Sequence, residues 1–231
     1  MIHALRHSAA HVFVDQLDLP VLGDDDQHHL GRVLRLRDGE SVTASDGRGQ
    51  WRACVWRSGA LEVAGEVVAS APPSVRCAVA FTPVKGDRNE WAVQKLTEIG
   101  IDEIVILAPT QHSVVRWSDA DKQLRKLRVV AREAAMQSRR VWLPSIVGLL
   151  ALHEVCARDG AAVADPNGVA LHAGVSLLTG VSLVVVGPEG GFAEEELPTG
   201  VPRVQLGDTI LRAETATLVA ATLLVARRAS L

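Results

Sequence analysis

The chain has 231 residues, of which 48% are apolar, and this is ample for one large domain or two small ones with a real core. Its formal net charge of −3 does not by itself indicate a nucleic-acid binder, and its three widely spaced cysteines exclude a disulfide framework. The N-terminus lacks the apolar stretch of a signal peptide, and no apolar run is long enough to span a bilayer, so we expect a cytoplasmic protein.

The residues before Pro72 predict a small β-rich module. A strand is expected at 11–14 and a helix at 24–35, where acidic residues come first and arginines last, as the helix dipole favours. Three further β segments, at 41–45, 50–56 and 61–68, are separated by glycine-containing turns. The sequence therefore predicts a barrel-like module with one helix, followed by a linker at 71–73.

After the linker, strands and helices alternate. Strands are expected at 75–81, 103–107, 161–164, 183–186 and 201–206, and helices at 87–99, 119–139 and 211–228. This alternation predicts an α/β domain whose mainly parallel sheet is covered on both faces.

The segment from 181 to 197 is the most informative one. The apolar run 183–186 predicts a buried strand that stops at the loop Gly187-Pro188-Glu189-Gly190-Gly191, and the acidic residues 194–196 indicate the first turn of a helix. No Gly-Lys-Ser/Thr follows and no GxGxxG is present, which argues against a phosphate cradle or a Rossmann site. Glycines here would let the backbone approach a flat, mostly uncharged ligand, although an ordinary tight turn remains the alternative.

A second glycine-bearing loop, Leu206-Gly207-Asp208-Thr209-Ile210-Leu211, also follows a strand and opens a helix. Two neighbouring strand ends with such loops define the usual ligand crevice of an open α/β sheet. Structural roles can account for Thr209, as a helix cap, and for Glu214, as an acidic residue in the first turns of the helix. Arg212 is different, because a cation at a helix N-terminus opposes the dipole, and we therefore expect another role for it.

Two local basic regions occur in this acidic chain, with net charges of +3 from 28 to 57 and +5 from 112 to 142. Such regions suit a polyanion, but they are as often solvated faces. Lys85 and Arg88 are candidate phosphate contacts, whereas Arg139 and Arg140 suit a helix C-terminus on dipole grounds alone. The eight histidines show no ligand spacing and no nucleophile motif is present, so we predict neither a metal site nor covalent hydrolase chemistry.

Six motifs follow one another along nearly the whole chain: HHLGRVLRLRDG at 28–39, KGDR at 85–88, QKLTEIG at 94–100, REAAMQSRR at 132–140, GPEGG at 187–191, and LG at 206–207 with ILRAETA at 210–216. In this order they resemble the RsmE-type enzymes, which methylate N3 of a uridine in 16S ribosomal RNA. Those enzymes belong to the SPOUT class of S-adenosylmethionine-dependent methyltransferases. Any one motif is weak, but the ordered set is specific.

The resemblance implies two domains. Residues 1–71 would form a PUA-like RNA-binding β-barrel, and residues 74–231 a SPOUT-like α/β methyltransferase domain with a deep trefoil knot and a mainly parallel sheet. It also implies a homodimer that acts on the 16S rRNA of the small ribosomal subunit, with no membrane and no metal involved. The knot could not come from composition or spacing, because knots are nearly absent from protein folds.

The resemblance also implies roles for individual residues. The S-adenosylmethionine site would be formed by Gly187, Pro188, Glu189, Gly190, Gly191, Leu206, Gly207, Ile210 and Leu211. Arg212 would orient the base or stabilise its developing charge, and Glu189 or Glu214 would be the proton acceptor unless its role is structural. The RNA contacts would be Arg32, Arg35, Arg37, Arg52, Lys85, Arg88, Arg139 and Arg140.

Two positions depart from the family pattern. Gln111-His112 stands where Glu-Arg is frequent, and Thr209 stands where a basic residue is common. Two alternative functions stay open at this point: a non-catalytic RNA-binding protein in ribosome assembly, and a SPOUT methyltransferase that acts on another RNA site.

Overall fold

The computed structural model describes residues 2–171 and 180–229, and the chain divides into two compact units. The first unit comprises Met1–Pro73 together with Arg132–Leu143, and the second comprises Ser74–Ala131 and Pro144–Leu231. Residues 132–143, which the domain prediction of 74–231 includes in the second domain, thus group with the first unit.

The first unit is built around a five-stranded sheet. Its elements are α1 (Ile2–His7), β1 (Ala10–Phe13), α2 (Asp24–His28), β2 (Ser41–Ser45), β3 (Gln50–Arg57), β4 (Ala60–Val63) and β5 (Val68–Ala69). The strand order is β1-β2-β3-β4, and β5 also pairs with β3; β1 and β2 are parallel, whereas the other pairs are antiparallel. The predicted segment 61–68 is therefore wrong as a single strand, because its middle leaves the sheet between β4 and β5.

The helix expected at 24–35 is shorter than predicted. After α2 the chain continues as one π-helical turn over His29–Val33 and leaves the helix at Arg35, whose φ of 54° lies in the left-handed region. Leu30 of this turn is buried against the apolar face of the sheet, with Val12, Val42 and Trp56. One buried side chain from the turn thus anchors it to the core of the first unit.

Residues 132–143 extend this first unit through backbone and charged contacts. The amide of Gly49 donates to the carbonyl of Val141, and the amide of Leu143 donates to the carbonyl of Gly47. Arg132 forms a two-pronged ion pair with the buried Asp26. A buried carboxylate needs such a partner, so this pair ties the segment to α2.

The second unit contains a six-stranded, wholly parallel sheet in the order β11-β9-β10-β6-β7-β8. Its elements are β6 (Ala78–Phe81), α3 (Arg88–Ile99), β7 (Glu103–Leu107), α4 (Ala120–Gln137), β8 (Ser145–Leu150), α5 (Leu152–Cys156), β9 (Ala161–Ala170), β10 (Leu183–Val186), β11 (Arg203–Gln205) and α6 (Ala213–Arg228). The prediction of an α/β domain with a mainly parallel sheet is confirmed.

Alternate residues of each strand serve the two faces of this sheet. Val79, Ile104 and Val184 lie in one apolar cluster, while their neighbours Ala80, Val105 and Val185 lie in a second one. A strand with this pattern is buried on both sides, which explains why β6 and β10 are apolar throughout and why β7 is apolar after Glu103.

Three local features differ from the sequence-based expectation. The strand β8 and the short helix α5 have no counterpart in the prediction. The acidic residues Glu194–Glu196 form a single 3-10 turn instead of the start of a helix, because Pro198 follows two residues later.

Among the residues described, 2–171 and 180–229, no helix is long and apolar enough to cross a membrane.

A bulge in β9 sets the shape of the sheet edge. Arg203 of β11 pairs with Val163, but the next residue, Val204, pairs with Val169, so residues 164–168 leave the ladder. A Cβ atom on Gly168 would lie 2.6 Å from the backbone of Arg203 and Val204. Only glycine allows this approach, and the bulge therefore projects at the carboxyl edge of the sheet.

The buried His11 predicts acid sensitivity of the first unit. Its Nδ1 lies 2.8 Å from Oγ1 of Thr43 and its Nε2 lies 3.0 Å from the carbonyl oxygen of Arg140. Burial lowers the pKa of His11 to about 4, so the imidazole stays neutral in the folded state but binds a proton in the unfolded chain below pH ~6.5. Its contribution to stability is therefore present above that pH and is lost as the pH falls towards 4.

We expect the free energy of unfolding to fall by about 2 kcal/mol between pH 7 and pH 5 because of this residue. The decrease should be largely absent in His11→Asn and retained in the matched control His28→Asn, whose side chain is exposed. Denaturant titrations at both pH values check this, and equal pH dependence in all three proteins would contradict it.

Candidate active site

A cleft of about 300 Å³ opens at the carboxyl ends of β9, β10 and β11. It is lined by Ala164, Asp165, Pro166, Val186, Gly187, Pro188, Glu189, Gly190, Gly191, Phe192, Leu206, Gly207, Thr209, Ile210, Leu211, Ala213 and Ala216. All nine residues that the sequence assigns to cofactor binding are among them. The structure thus brings the two glycine-bearing loops, 187–191 and 206–211, into one site at the crevice expected for an open parallel sheet.

The first loop needs its glycines for steric reasons. A Cβ atom on Gly187 would lie 3.1 Å from the ring of Phe192, and one on Gly190 would lie 3.0 Å from Cβ of His112. Gly191 has a φ of 71°, which side-chain-bearing residues rarely adopt. The backbone therefore lines this side of the cleft without intervening side chains.

The segment after β7 supports the same loop from outside. Nδ1 of His112 lies 3.2 Å from the carbonyl oxygen of Gly191, and the amide of Gln111 donates to Oε1 of Glu196. These two residues are the ones that depart from the family pattern. Their contacts give them a role in holding the glycine loop.

The second loop ends at Arg212, which is the N-cap residue of α6 and is exposed. Its carbonyl accepts the first hydrogen bond of the helix from the amide of Ala216, which fixes the backbone at this position. Within the described ranges, no carboxylate lies within ion-pair distance of its guanidinium. Arg212 does not itself line the cleft, but its neighbours Leu211 and Ala213 do, so this cation and the positive end of the helix dipole lie next to the cleft.

Asp165 is a cleft residue that sequence reasoning did not identify. It lies in the bulge of β9, and its carboxylate accepts a hydrogen bond of 3.0 Å from Arg203. Arg203 also binds Glu194, and these partners raise its pKa while the guanidinium lowers the pKa of Glu194. The available signal was the sequence Asp165-Pro166-Asn167-Gly168, which is typical of a turn and interrupts the strand pattern.

A second charged cluster lies beside the cleft. Nη1 of Arg88 lies 3.1 Å from Oε1 of Glu214 and 3.7 Å from Oε1 of Glu189. Burial favours a raised pKa for Glu214, but the hydrogen bond from its own backbone amide and the charge of Arg88 outweigh this effect and lower the pKa. Glu214 is therefore an anion near neutral pH and a weak proton acceptor, which favours a structural role.

The predicted RNA-contact residues divide into two groups. Arg32, Arg35, Arg37 and Lys85 are exposed and available to phosphates. The predicted RNA contact is wrong for Arg52, because only 8% of this residue is exposed and its guanidinium donates to the carbonyls of Leu17 and Gly65. It stabilises the β-rich core of the first unit and cannot reach RNA.

The two arginines that follow α4 also make structural contacts. Arg139 donates to the carbonyls of Met136 and Ser8, and burial lowers its pKa. Its φ of 59° marks the point at which the chain turns away from the helix. The carbonyl of Arg140 faces the buried His11. The helix C-terminus therefore gives Arg139 a structural role, as the dipole argument allowed.

The described part of the chain contains no group of three or more His, Cys, Asp or Glu side chains arranged to hold a metal ion.

Comparison with protein families gives two matches. The family described as "RNA methyltransferase domain" matches residues 71–225, and the family described as "RNA methyltransferase PUA domain" matches residues 22–55. The first of these covers well over half of the chain.

Curated relatives and solved structures agree with these matches. The chain is 36% identical to "Ribosomal RNA small subunit methyltransferase E" of Mycobacterium bovis, over 87% of the chain and 83% of that protein. The protein of the same name from Bacillus subtilis is 30% identical, over 85% of each.

Among solved structures, a probable rRNA-methyltransferase from Porphyromonas gingivalis superposes with a TM-score of 0.76 at 28% identity, covering 96% of this chain and 99% of that one. The ribosomal RNA small subunit methyltransferase E of Neisseria gonorrhoeae, solved with bound S-adenosyl methionine, has a TM-score of 0.78 at 25% identity, covering 94% and 96%.

The left-handed conformation of Gly191 generates a prediction about ligand affinity. An alanine in this conformation costs about 1 to 2 kcal/mol, so Gly191→Ala should shift the loop away from its cleft-lining form and weaken S-adenosylmethionine binding by up to about 30-fold. Gly200→Ala is a matched control, because Gly200 has a φ of 81° and equally open surroundings but does not line the cleft. Titration calorimetry of both variants checks this, and equal affinities would show that the loop conformation does not matter.

Proposed function

Since the chain belongs to the ribosomal RNA small subunit methyltransferase E family, we propose that it transfers a methyl group from S-adenosylmethionine to N3 of a uridine in 16S ribosomal RNA. The observation that carries this proposal is the single cleft formed by both glycine-bearing loops beside the exposed Arg212. The Neisseria gonorrhoeae relative with bound S-adenosyl methionine supports the same assignment.

The residues present fit this cofactor. Gly187, Gly190 and Gly191 line the cleft without side chains, and the second loop contributes the apolar residues Leu206 and Leu211. A flat adenine ring suits such walls, and hydroxyl or amino groups of the cofactor would find backbone partners. The only acidic side chains that line the cleft within the described residues are Asp165 and Glu189, which suit a ligand that carries a positive sulfonium.

Methyl transfer is an in-line displacement at the methyl carbon. When bound, S-adenosylmethionine supplies a methyl group on a sulfonium; the S–C bond breaks with its electron pair remaining on sulfur while the bond to N3 forms. The uracil N3 also carries a proton, which must leave to a base or to water. The protein must therefore hold the base in line and stabilise the negative charge that develops on it.

Arg212 is the residue best placed to stabilise that charge. It is the N-cap residue of α6, between the cleft-lining residues Leu211 and Ala213, and the helix dipole adds to its positive charge. A guanidinium can donate two parallel hydrogen bonds to a planar partner such as a uracil carbonyl. Stabilisation of this kind acts mainly in the transition state and therefore raises kcat.

Glu189 is the better candidate for the proton acceptor. It lines the cleft and 54% of its side chain is exposed, whereas Glu214 is held in a close ion pair with Arg88. Transfer of the N3 proton to water is the alternative, because positioning and charge stabilisation alone can supply much of the acceleration.

RNA would bind through exposed basic residues and present an unpaired or flipped base. Arg32, Arg35 and Arg37 follow α2 on the first unit, and Lys85 precedes α3 on the second. A uracil within a helix cannot expose N3, so the target nucleotide must leave its stack. The affinity for RNA should fall with salt, because each neutralised phosphate releases counterions.

Three further features belong to the same proposal. We expect a trefoil knot formed by the loops around the cleft, a homodimer, and a cytoplasmic location together with the ribosomal substrate.

The wild-type protein tests the proposed function directly. S-adenosylmethionine at 100 times its Kd should stabilise the protein by about 2.7 kcal/mol, which a thermal unfolding experiment detects. A strain without the protein should lack one N3-methylated uridine in 16S rRNA. For the proposed homodimer, light scattering should give about twice the monomer mass of 24.7 kDa. RNA binding without cofactor binding would favour an assembly protein, and loss of a methyl group elsewhere would favour another RNA site.

Arg212→Ala should separate catalysis from cofactor binding. We expect a loss of about 100-fold to 1000-fold in kcat, as for removal of one charge-stabilising donor, with little change in the Kd for S-adenosylmethionine. Arg76→Ala is a suitable control, because Arg76 is also exposed but precedes β6 at the opposite edge of the sheet. Single-turnover rates with in vitro assembled small-subunit particles measure this, and an unchanged rate would exclude a catalytic role for Arg212.

A further inference from the structure

Arg88 joins three segments of the second unit that are far apart in sequence. It begins α3, whereas Glu189 lies in the glycine loop after β10 and Glu214 lies in the first turn of α6. The ion pair with Glu214 spans 126 positions of the chain. One guanidinium thus contacts both elements that form the cleft.

The pair with Glu214 is the stronger of the two contacts. Only 12% of the Glu214 side chain is exposed, and its Oε1 accepts a hydrogen bond of 3.1 Å from Arg88. The other carboxylate oxygen, Oε2, is buried and has no hydrogen-bond partner among the described residues. Besides Arg88, this carboxylate has only its own backbone amide as a hydrogen-bond donor, so removal of Arg88 would favour displacement or protonation of Glu214.

Glu189 is held more loosely. Its carboxylate lies 3.7 Å from the same nitrogen of Arg88 and 54% of its side chain is exposed. Because the two carboxylates share one guanidinium, the cluster carries one more negative than positive charge. These contacts occupy Nη1 of Arg88, and its Nε is directed to the carbonyl of Lys85, so fewer of its donors remain for a phosphate. These contacts argue against the RNA-phosphate role that the sequence predicts for Arg88.

We infer that Arg88 is a positioning residue that fixes the N-terminus of α6, and with it Arg212, relative to the glycine loop of the cofactor cleft. The inference rests on the proposed methyl transfer, since it assigns Arg88 a task within that site. Arg88 touches neither reactant; it acts through Glu214, two residues from Arg212, and through Glu189 in the cleft wall. Misplacement of a reacting group by about 1 Å is enough to slow a reaction by about 100-fold.

The test compares Arg88→Gln with Lys95→Gln. Lys95 lies two turns further along α3 and forms an ion pair of 2.8 Å with Glu98 of the same helix, so its variant removes an equal charge without affecting the cleft. Three quantities are measured: the Kd for S-adenosylmethionine without RNA, the kcat at saturating RNA, and the dependence of RNA affinity on salt. The cofactor binding and methyl transfer of the wild-type protein, measured in the same assays, test the proposed function independently of the variants.

For Arg88→Gln we expect a Kd for the cofactor raised about tenfold, a kcat lowered about 100-fold, and an unchanged salt dependence of RNA binding. Lys95→Gln should match the wild type in cofactor affinity and in kcat. If Arg88 instead contacts a phosphate, the slope of log affinity against log salt falls in magnitude by about 0.7 to 0.9 while cofactor affinity and kcat stay unchanged. That result, with an active wild type, overturns the inference and leaves the proposed function intact.

A double variant distinguishes a loss of positioning from misfolding of Arg88→Gln. Arg88→Gln combined with Glu214→Gln removes both charges, so no uncompensated buried carboxylate remains at position 214. Because Arg88→Gln already breaks the contact with Glu214, the double variant should lose no more cofactor affinity and kcat than Arg88→Gln alone. Losses that multiply in the double variant would show that Arg88 acts elsewhere and would also overturn the inference.

Discussion

The pairing of β9 with both β10 and β11 is the constraint on which the site depends. The register jumps from Val163 to Val169 opposite two consecutive residues of β11, which forces residues 164–168 out of the ladder. This bulge fits only because Gly168 lets the backbone of β11 approach to within 2.6 Å of the position of a Cβ atom. It places Asp165 in the cleft, and the loops after β10 and β11, the two strands that flank β9, line the same cleft.

The arginines of this chain occupy three different environments. Arg52 and Arg139 donate to backbone carbonyls inside the first unit and hold its loops. Arg203 and Arg88 each bridge two carboxylates next to the cleft, whereas Arg212 is exposed beside it. The planar guanidinium with its fixed donors suits all three environments. A local net charge therefore overestimates the positive field that RNA would meet, because about as many of these cations serve the fold as remain available.

The long helix α4 shows why domain limits are hard to place from a linear pattern. Its apolar periodicity continues across the boundary between the two units, which lies between residues 131 and 132. Ala131 belongs to the core of the second unit, whereas Met136 packs against the core of the first. Periodicity records that one helix face is buried and carries no information on what covers it. The ion pair of Arg132 with Asp26 and the backbone bonds of 141–143 then assign the helix end to the first unit.

Features that depend on neighbouring residues could be predicted from the amino-acid sequence: the strands β7 and β10, the α/β alternation, the two glycine-bearing loops, and the family, through motifs that keep their order along the chain. Three features became visible only in the folded chain: Arg52 is buried, Asp165 lines the cleft, and Arg88 contacts Glu189 and Glu214. Asp165 and Arg203 are 38 positions apart, and Arg88 and Glu214 are 126 apart. Local propensity cannot encode such contacts, because they arise only when the parallel strands bring their carboxyl ends to the same edge of the sheet.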